Sequence, residues 1–185
     1  MARIGIYAGT FDPVHNGHIA FAADALETGL DTVIFLPERT PRGKPQATDF
    51  AHRVAMLKLA LDGYARLEVS EMPHAQFTVA ETLPALRRQF GDDLTLLMGS
   101  DVAATLVHWK DVHILFEQMA LLIALRQDHA RAQVEAMLRH TGEGARFACI
   151  PSPEAHVSSS RIRLGEAQGM HPTVEAYARN HVLYG

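Results

Sequence analysis

The chain has almost no cysteine: Cys149 is the only one in 185 residues. It cannot form an intramolecular disulfide, so a reducing compartment is the natural expectation. Long hydrophobic runs are lacking as well. The longest, at residues 119–125, falls far short of the roughly 20 residues a membrane-spanning helix requires. At the start of the chain, the apolar stretch 4–11 meets Asp12-Pro13 too early for the core of a signal peptide. Nor is there a basic excess, with 17 Lys plus Arg against 21 Asp plus Glu and a formal net charge of −4. Proteins that coat nucleic acid usually carry the opposite balance. Neither a nucleic-acid partner nor a membrane is expected, although a few local cations could still hold a small phosphate ligand. Repeats, low-complexity tracts and Ser/Gly linkers are missing too. What is present is ordinary for a soluble globular chain: 48% hydrophobic and 21% charged residues. A chain of this length buries roughly 70% of its unfolded surface and needs no disulfide or structural metal. The expectation is a cytoplasmic, soluble protein in which residues 1–185 form one domain. Whether it forms a homo-oligomer is left open.

Short apolar runs alternate with longer amphipathic ones. Strands are expected at residues 3–7, 32–36, 67–69, 94–98 and 146–150, with another long apolar run at 119–125. Helical spacing marks 19–27, 50–61, 78–89 and 129–140, and the tail from residue 158 reads as two short helices. Residues 37–48 hold Pro37, Pro41, Pro45 and Gly43, and must be a loop. Thr78, with Glu81 three residues on, has the spacing of a capping box. This rhythm implies an α/β fold: a doubly wound, mostly parallel sheet with helices on both faces and a C-terminal helical tail. In such sheets ligands bind beyond the carboxyl ends of the strands, near the point where strand order reverses. The loops after Tyr7, Leu36, Met98 and Ile150 are therefore the places to look for chemistry.

After the first strand comes Ala8-Gly9-Thr10-Phe11-Asp12-Pro13-Val14-His15-Asn16-Gly17-His18. Two imidazoles three residues apart, where a loop enters a helix, can converge on one anion beside the helix's free amides. Most histidines are structural or merely exposed; this pair flanks Asn-Gly directly after a strand. Zinc is the other reading, but no third ligand at suitable spacing and no nearby cysteine support it. A second constellation, Val157-Ser158-Ser159-Ser160-Arg161-Ile162-Arg163, precedes an expected helix. Serines there can cap the helix and offer donors, and arginine brings a forked cation suited to phosphate. Alone, it would equally be an ordinary cap with a solvated arginine.

Together these segments resemble the nucleotidylyltransferase superfamily, with its G-x-F-D-P-x-H-x-G-H loop and late S-S-x-x-x-R segment. Further pieces are similar to the bacterial nicotinate-nucleotide adenylyltransferases: His52-Arg53-Val54-Ala55-Met56-Leu57, Phe77-Thr78-Val79-Ala80-Glu81-Thr82-Leu83, Leu97-Met98-Gly99-Ser100-Asp101, Trp109, and the ending Tyr177-Ala178-Arg179-Asn180-His181-Val182-Leu183-Tyr184-Gly185. The resemblance implies a Rossmann-like fold and transfer of an adenylyl group from ATP to nicotinate mononucleotide. The products are deamido-NAD and pyrophosphate, with Mg2+ accompanying ATP. It implies catalytic roles for His15, His18 and Thr10, and ATP contacts from Gly9, Phe11, Lys44, Gly99, Asp101, Ser159, Ser160 and Arg163. Phe77, Thr78 and Trp109 would meet the acceptor, and no metal is bound by the chain itself.

Four departures from the family pattern stand out. Ala8 replaces the first glycine of the loop, which is tolerated unless φ is positive there. Pro41-Arg42-Gly43-Lys44 keeps the lysine of a Pro-Pro-His-Lys stretch and loses its histidine. No second aromatic follows Trp109 closely, and Arg126 stands alone where the family often has two arginines. Two other readings stay open: a pantetheine-phosphate adenylyltransferase-like enzyme, and a nucleotide-binding paralogue serving as a sensor or partner module.

Overall fold

The computed structural model describes residues 2–71, 74–125, 131–142, 144–152, 157–166 and 168–184. Among them six strands form one sheet: β1 (Ile4–Gly9), β2 (Thr32–Pro37), β3 (Leu67–Val69), β4 (Leu94–Gly99), β5 (Ala120–Leu125) and β6 (Phe147–Pro151). Every pairing is parallel and the order is β3-β2-β1-β4-β5-β6. Among the described residues eight helices accompany them: α1 (Asn16–Glu27), α2 (Phe50–Ala60), α3 (Val79–Phe90), α4 (Ser100–Ala103), α5 (Val112–Gln118), α6 (Arg131–Thr141), α7 (Ser159–Arg163) and α8 (Pro172–Asn180).

Period-2 alternation sorts the strand residues onto two faces, and both are covered. Ile34, Leu36, Leu94, Leu96, Leu121 and Ile123 pack with Leu83 and Leu86 of α3, Leu115 of α5 and Leu138 of α6. Their sequence neighbours Val33, Phe35, Leu97 and Leu122 turn the other way, onto Phe21 and Ala25 of α1, Met56 and Leu57 of α2 and Val174 of α8. Continuous apolar strands such as Thr32–Pro37 are what a sheet buried on both sides demands.

The strand order reverses between β1 and β4. These two pair only as far as Tyr7↔Leu97. Each continues with its outer neighbour, to Gly9↔Pro37 on one side and Gly99↔Ala124 on the other. The sheet therefore parts at its carboxyl edge, and a crevice opens there.

Most elements fall where periodicity puts them. Helix α1 starts at Asn16 instead of 19, which moves His18 inside its first turn. Between β4 and β5 the chain forms α4, a 3₁₀ turn at Leu106–His108 and α5, none of which its short, mixed pattern announces. The expected helix at 129–140 appears as α6; its first two residues, Arg126 and the last residue, Gly185, lie outside the described residues. The capping box at Thr78 does not form: the Thr78 hydroxyl donates to Glu81 Oε2 (3.2 Å) and its N–H donates to Thr82 Oγ1 (3.0 Å). Among the described residues no helix is long and apolar enough to cross a membrane.

Candidate active site

The crevice holds a cavity of about 370 Å³. Residues 7–12 line it from β1 and its loop, Met98, Gly99 and Asp101 from β4 and α4, and Ser158, Ser159, Ser160 and Arg163 from α7 and its cap. His15, His18 and Lys44 also line it, as does Ser152 after β6. The loops that the parallel pattern singled out are thus brought together, although they are far apart in sequence.

Glycine has a local reason at Gly9, where a Cβ would sit 3.0–3.3 Å from the Phe11 ring. It lets the chain fold back on the strand end. Ala8 is not among the residues with positive φ, so alanine costs nothing there. Phe11 is, at φ 51°, a strained conformation for a bulky residue. Its ring is 2% exposed and lies edge-on to His18, 5.1 Å between centroids, and beside Tyr7 and Phe35. The ring thus backs the histidine where it lines the cavity. A Cβ at Gly99 would run into the Asp101 carboxylate, so glycine lets Asp101 fold back over the end of β4.

The two histidines are not equivalent. His15 caps α1 and is 5% exposed, whereas His18, in the first turn, is half-buried. Their rings stack, with centroids 3.7 Å apart. The backbone N–H of His15 donates to His18 Nδ1 at 3.2 Å. A ring nitrogen that accepts from an amide carries no proton, so neutral His18 carries it on Nε2 and acts there as a donor.

The loop at residues 10–13 is gripped by groups from distant parts of the chain. Arg53 Nη1 donates to Thr10 O (2.7 Å), Arg163 Nη1 to Asp12 O (2.6 Å) and the Ser159 hydroxyl to Pro13 O (2.9 Å). Lys44 Nζ reaches Thr10 Oγ1 at 3.0 Å, placing the second loop over the first. Asp12, 3% exposed, accepts from the Tyr184 hydroxyl (2.6 Å) and from Thr48 N–H (3.1 Å). Ser159 and Arg163, expected at the phosphates, therefore also fasten the loop. Ser160 is more exposed, and its oxygen accepts from Arg163 Nη2 at 3.4 Å, which leaves its proton for another acceptor. Arg161 turns outward, 52% exposed, toward Glu166.

Arg53 went unassigned in the sequence reading. It is 1% exposed, and its fork also donates to Thr48 O (2.8 Å) and Arg39 O (3.1 Å). Burial pulls its guanidinium below the ordinary value, and the charge of Asp12 opposes that. A signal was present: Arg53 shares the apolar stripe of Met56, Leu57 and Ala60, where a cation must find buried acceptors. Tyr184 had no such local signal.

A second cavity, of about 380 Å³, is lined by Arg42, residues 77–81 and residues 108–111. Trp109 is half-buried; its Nε1–H donates to Thr105 Oγ1 (2.9 Å) and its ring lies 6.0 Å from that of Phe77. Phe77 is 6% exposed, and Thr78 caps α3. Arg42, also unassigned from sequence, donates from Nε to Gln76 Oε1 (2.8 Å) and from Nη2 to Phe77 O (3.2 Å). One loop thus serves both cavities, with Lys44 at the first and Arg42 at the second. Among the described residues no three His, Cys, Asp or Glu side chains gather to hold a metal. Of the two carboxylates at the first cavity, Asp12 is tied down and Asp101 is exposed.

The family model described as Cytidylyltransferase-like matches residues 6–165. A Neisseria gonorrhoeae protein named "Probable nicotinate-nucleotide adenylyltransferase" is 36% identical, covering 100% of this chain and 99% of its own length. A protein of the same name from Thermomicrobium roseum is 35% identical over 100% of this chain and 92% of its own. Among solved structures, a Plasmodium falciparum nicotinic acid mononucleotide adenylyltransferase complexed with NaAD superposes with a TM-score of 0.82. It covers 100% of this chain and 98% of the other at 17% identity, a likeness of fold. With a cytidylyltransferase-like core, a crevice at the strand-order reversal and full-length relatives above 30% identity, the chain belongs to the nicotinate-nucleotide adenylyltransferase family.

Proposed function

We propose that the protein transfers the adenylyl group of ATP to nicotinate mononucleotide, releasing pyrophosphate and forming deamido-NAD, a step of NAD biosynthesis in the cytoplasm. The observation that carries this reading is the pair of cavities served by one loop. The first, rich in donors, suits a triphosphate; the second, with Trp109, suits a flat ring.

The reaction is an in-line displacement: an acceptor phosphate oxygen attacks the α-phosphorus of ATP as pyrophosphate leaves. The nucleophile is already an anion, so positioning and charge neutralisation do the work and no strong base is needed. His18 donates from Nε2 to the α-phosphate as charge builds there. His15, stacked behind it, fixes the tautomer through its amide. Thr10 and Lys44 meet the triphosphate from one side, and Ser160, the amides at the start of α7 and Arg163 from the other. Gly99 and Asp101 face the adenosine. Mg2+ enters on the triphosphate as part of the substrate, held by phosphate oxygens and water. At the second site Trp109 stacks on the pyridine ring. The start of α3 at Thr78 and the Arg42 guanidinium face its carboxylate. Glu81 keeps the Thr78 hydroxyl, so selectivity comes from amides and the guanidinium.

The test is pyrophosphate release from ATP and Mg2+ with a panel of acceptors. Nicotinate mononucleotide should exceed its amide in kcat/KM by roughly 30- to 150-fold, as one or two charge-assisted hydrogen bonds supply. A preference for the amide would overturn the acceptor. Silence with every acceptor alongside ATP binding would favour the sensor.

A further inference from the structure

The carboxyl end of the chain makes a contact that the chemistry above does not use. Helix α8 ends at Asn180, and the next residues turn back on it: Val182 N–H donates to Arg179 O (3.2 Å) and Leu183 N–H to Ala178 O (2.8 Å). This double bond pattern is a helix stop that normally places glycine at the residue with positive φ. Here that residue is Val182, at φ 55°, and Tyr184 follows at φ 61°. Left-handed backbone disfavours both side chains, and Val182 most because it is β-branched. Val182 is 85% exposed, so its own side chain gains nothing in exchange. What the turn achieves is to carry the Tyr184 hydroxyl to Asp12.

Asp12 lies in the wall of the first cavity and is 3% exposed. A carboxylate there repels a triphosphate unless its charge is taken up on the protein's side. The Tyr184 hydroxyl donates to Oδ1 at 2.6 Å, Thr48 N–H donates to Oδ2 at 3.1 Å, and Arg163 Nη1 stands 4.0 Å from Oδ2 while donating to Asp12 O. Tyr184 thus fixes the side chain of a residue whose backbone joins Phe11 to Pro13. That stretch continues into the cap of α1 and presents His18. It also shares the carboxylate with Arg163, which would otherwise be drawn away from a ligand.

We propose that Tyr184 is a positioning residue of the adenylyl-transfer site, its hydroxyl holding Asp12 so that the 10–13 loop and Arg163 meet the triphosphate. The inference rests on the reading of the first cavity as the ATP site. The primary readout is the ATP dissociation constant, which needs no acceptor and so separates this proposal from the acceptor assignment. Tyr184→Phe keeps the ring and removes only the donor. It should weaken ATP binding about tenfold, the scale of one hydrogen bond to a charged group. The KM for nicotinate mononucleotide should stay unchanged. Tyr177→Phe is the control: that hydroxyl lies in the same tail but bonds His52 Nδ1 at 2.9 Å, on the α2–α8 face. It should lower the melting temperature and leave ATP affinity alone. Asp12→Ala removes the acceptor outright, and the double variant Tyr184→Phe/Asp12→Ala should bind ATP no more weakly than Asp12→Ala alone, because both changes act on one contact. If Tyr184→Phe shifts only the melting temperature, as Tyr177→Phe does, the tyrosine merely packs and the proposal is overturned. Additive losses in the double variant would equally overturn action through Asp12. A wild-type protein that binds ATP but turns over no acceptor refutes the function and leaves the Tyr184 comparison readable.

Discussion

Two histidines three residues apart in one loop end in different environments, and the difference separates the roles proposed for them. His15 is buried at the helix cap, and its amide holds the ring of His18. His18 is the one placed to donate. Its replacement by alanine removes a donor aimed at developing charge, which typically costs ~10²–10³ in turnover. His18→Ala should therefore lose about that much kcat while ATP affinity and melting temperature change little, measured by pyrophosphate release and thermal unfolding. Near-normal turnover in the folded variant would remove His18 from the mechanism. The histidine pair was legible because its spacing and its place after a strand are both local. Phe11 was legible only in part: its type belongs to the loop, but its burial depends on Tyr7, Phe35 and α1 closing around it.

At the scale of elements, the informative unit is the second loop with the start of α3. Thr40 N–H donates to Ala75 O (3.0 Å), Gln76 Nε2 to Thr40 O (2.8 Å) and Phe77 N–H to Glu38 Oε1 (3.0 Å). These ties set Arg42 beside Phe77 and leave Lys44 at the first cavity. The stretch that departs from the family pattern thus carries a guanidinium to the second cavity, the proposed acceptor site. Arg42→Gln should reduce kcat/KM for nicotinate mononucleotide and lower its advantage over the amide by about tenfold, with ATP affinity unchanged. Equal losses for both acceptors would show that Arg42 only fastens the loops. Strands β2, β4 and β5 were legible because a sheet buried on both faces demands unbroken apolar runs. The stretch between β4 and β5 was not. Helix α4 has only four residues and α5 seven, too short for a 3.6-residue period to declare itself.

Over the whole molecule, burial couples the site to stability through protons. The Tyr184 hydroxyl is pushed up from an ordinary value near 10, first by burial and then by its bond to Asp12, and the Cys149 thiol is pushed up from near 9 by burial. Both groups keep their protons in the native state at pH values where the unfolded chain has shed them. The unfolded state then binds fewer protons, so stability falls as pH rises through the ordinary values of these groups. The melting temperature should drop by about 5 °C or more between pH 8 and pH 10.5, and less steeply in Tyr184→Phe. A slope that does not change in the variant would show that Tyr184 is not part of this linkage. By itself, the amino-acid sequence determined the parallel α/β layering and the loops whose residues line the first cavity. Those follow from periodicity and from spacings of a few residues. Only the tertiary structure decided that Arg53 would clasp three carbonyls, that Ser159 and Arg163, expected at the phosphates of ATP, would fasten the 10–13 loop, and that Tyr184 would reach Asp12. Each joins segments whose approach depends on the packing of the sheet and its helices, and no local pattern encodes a contact 172 residues apart.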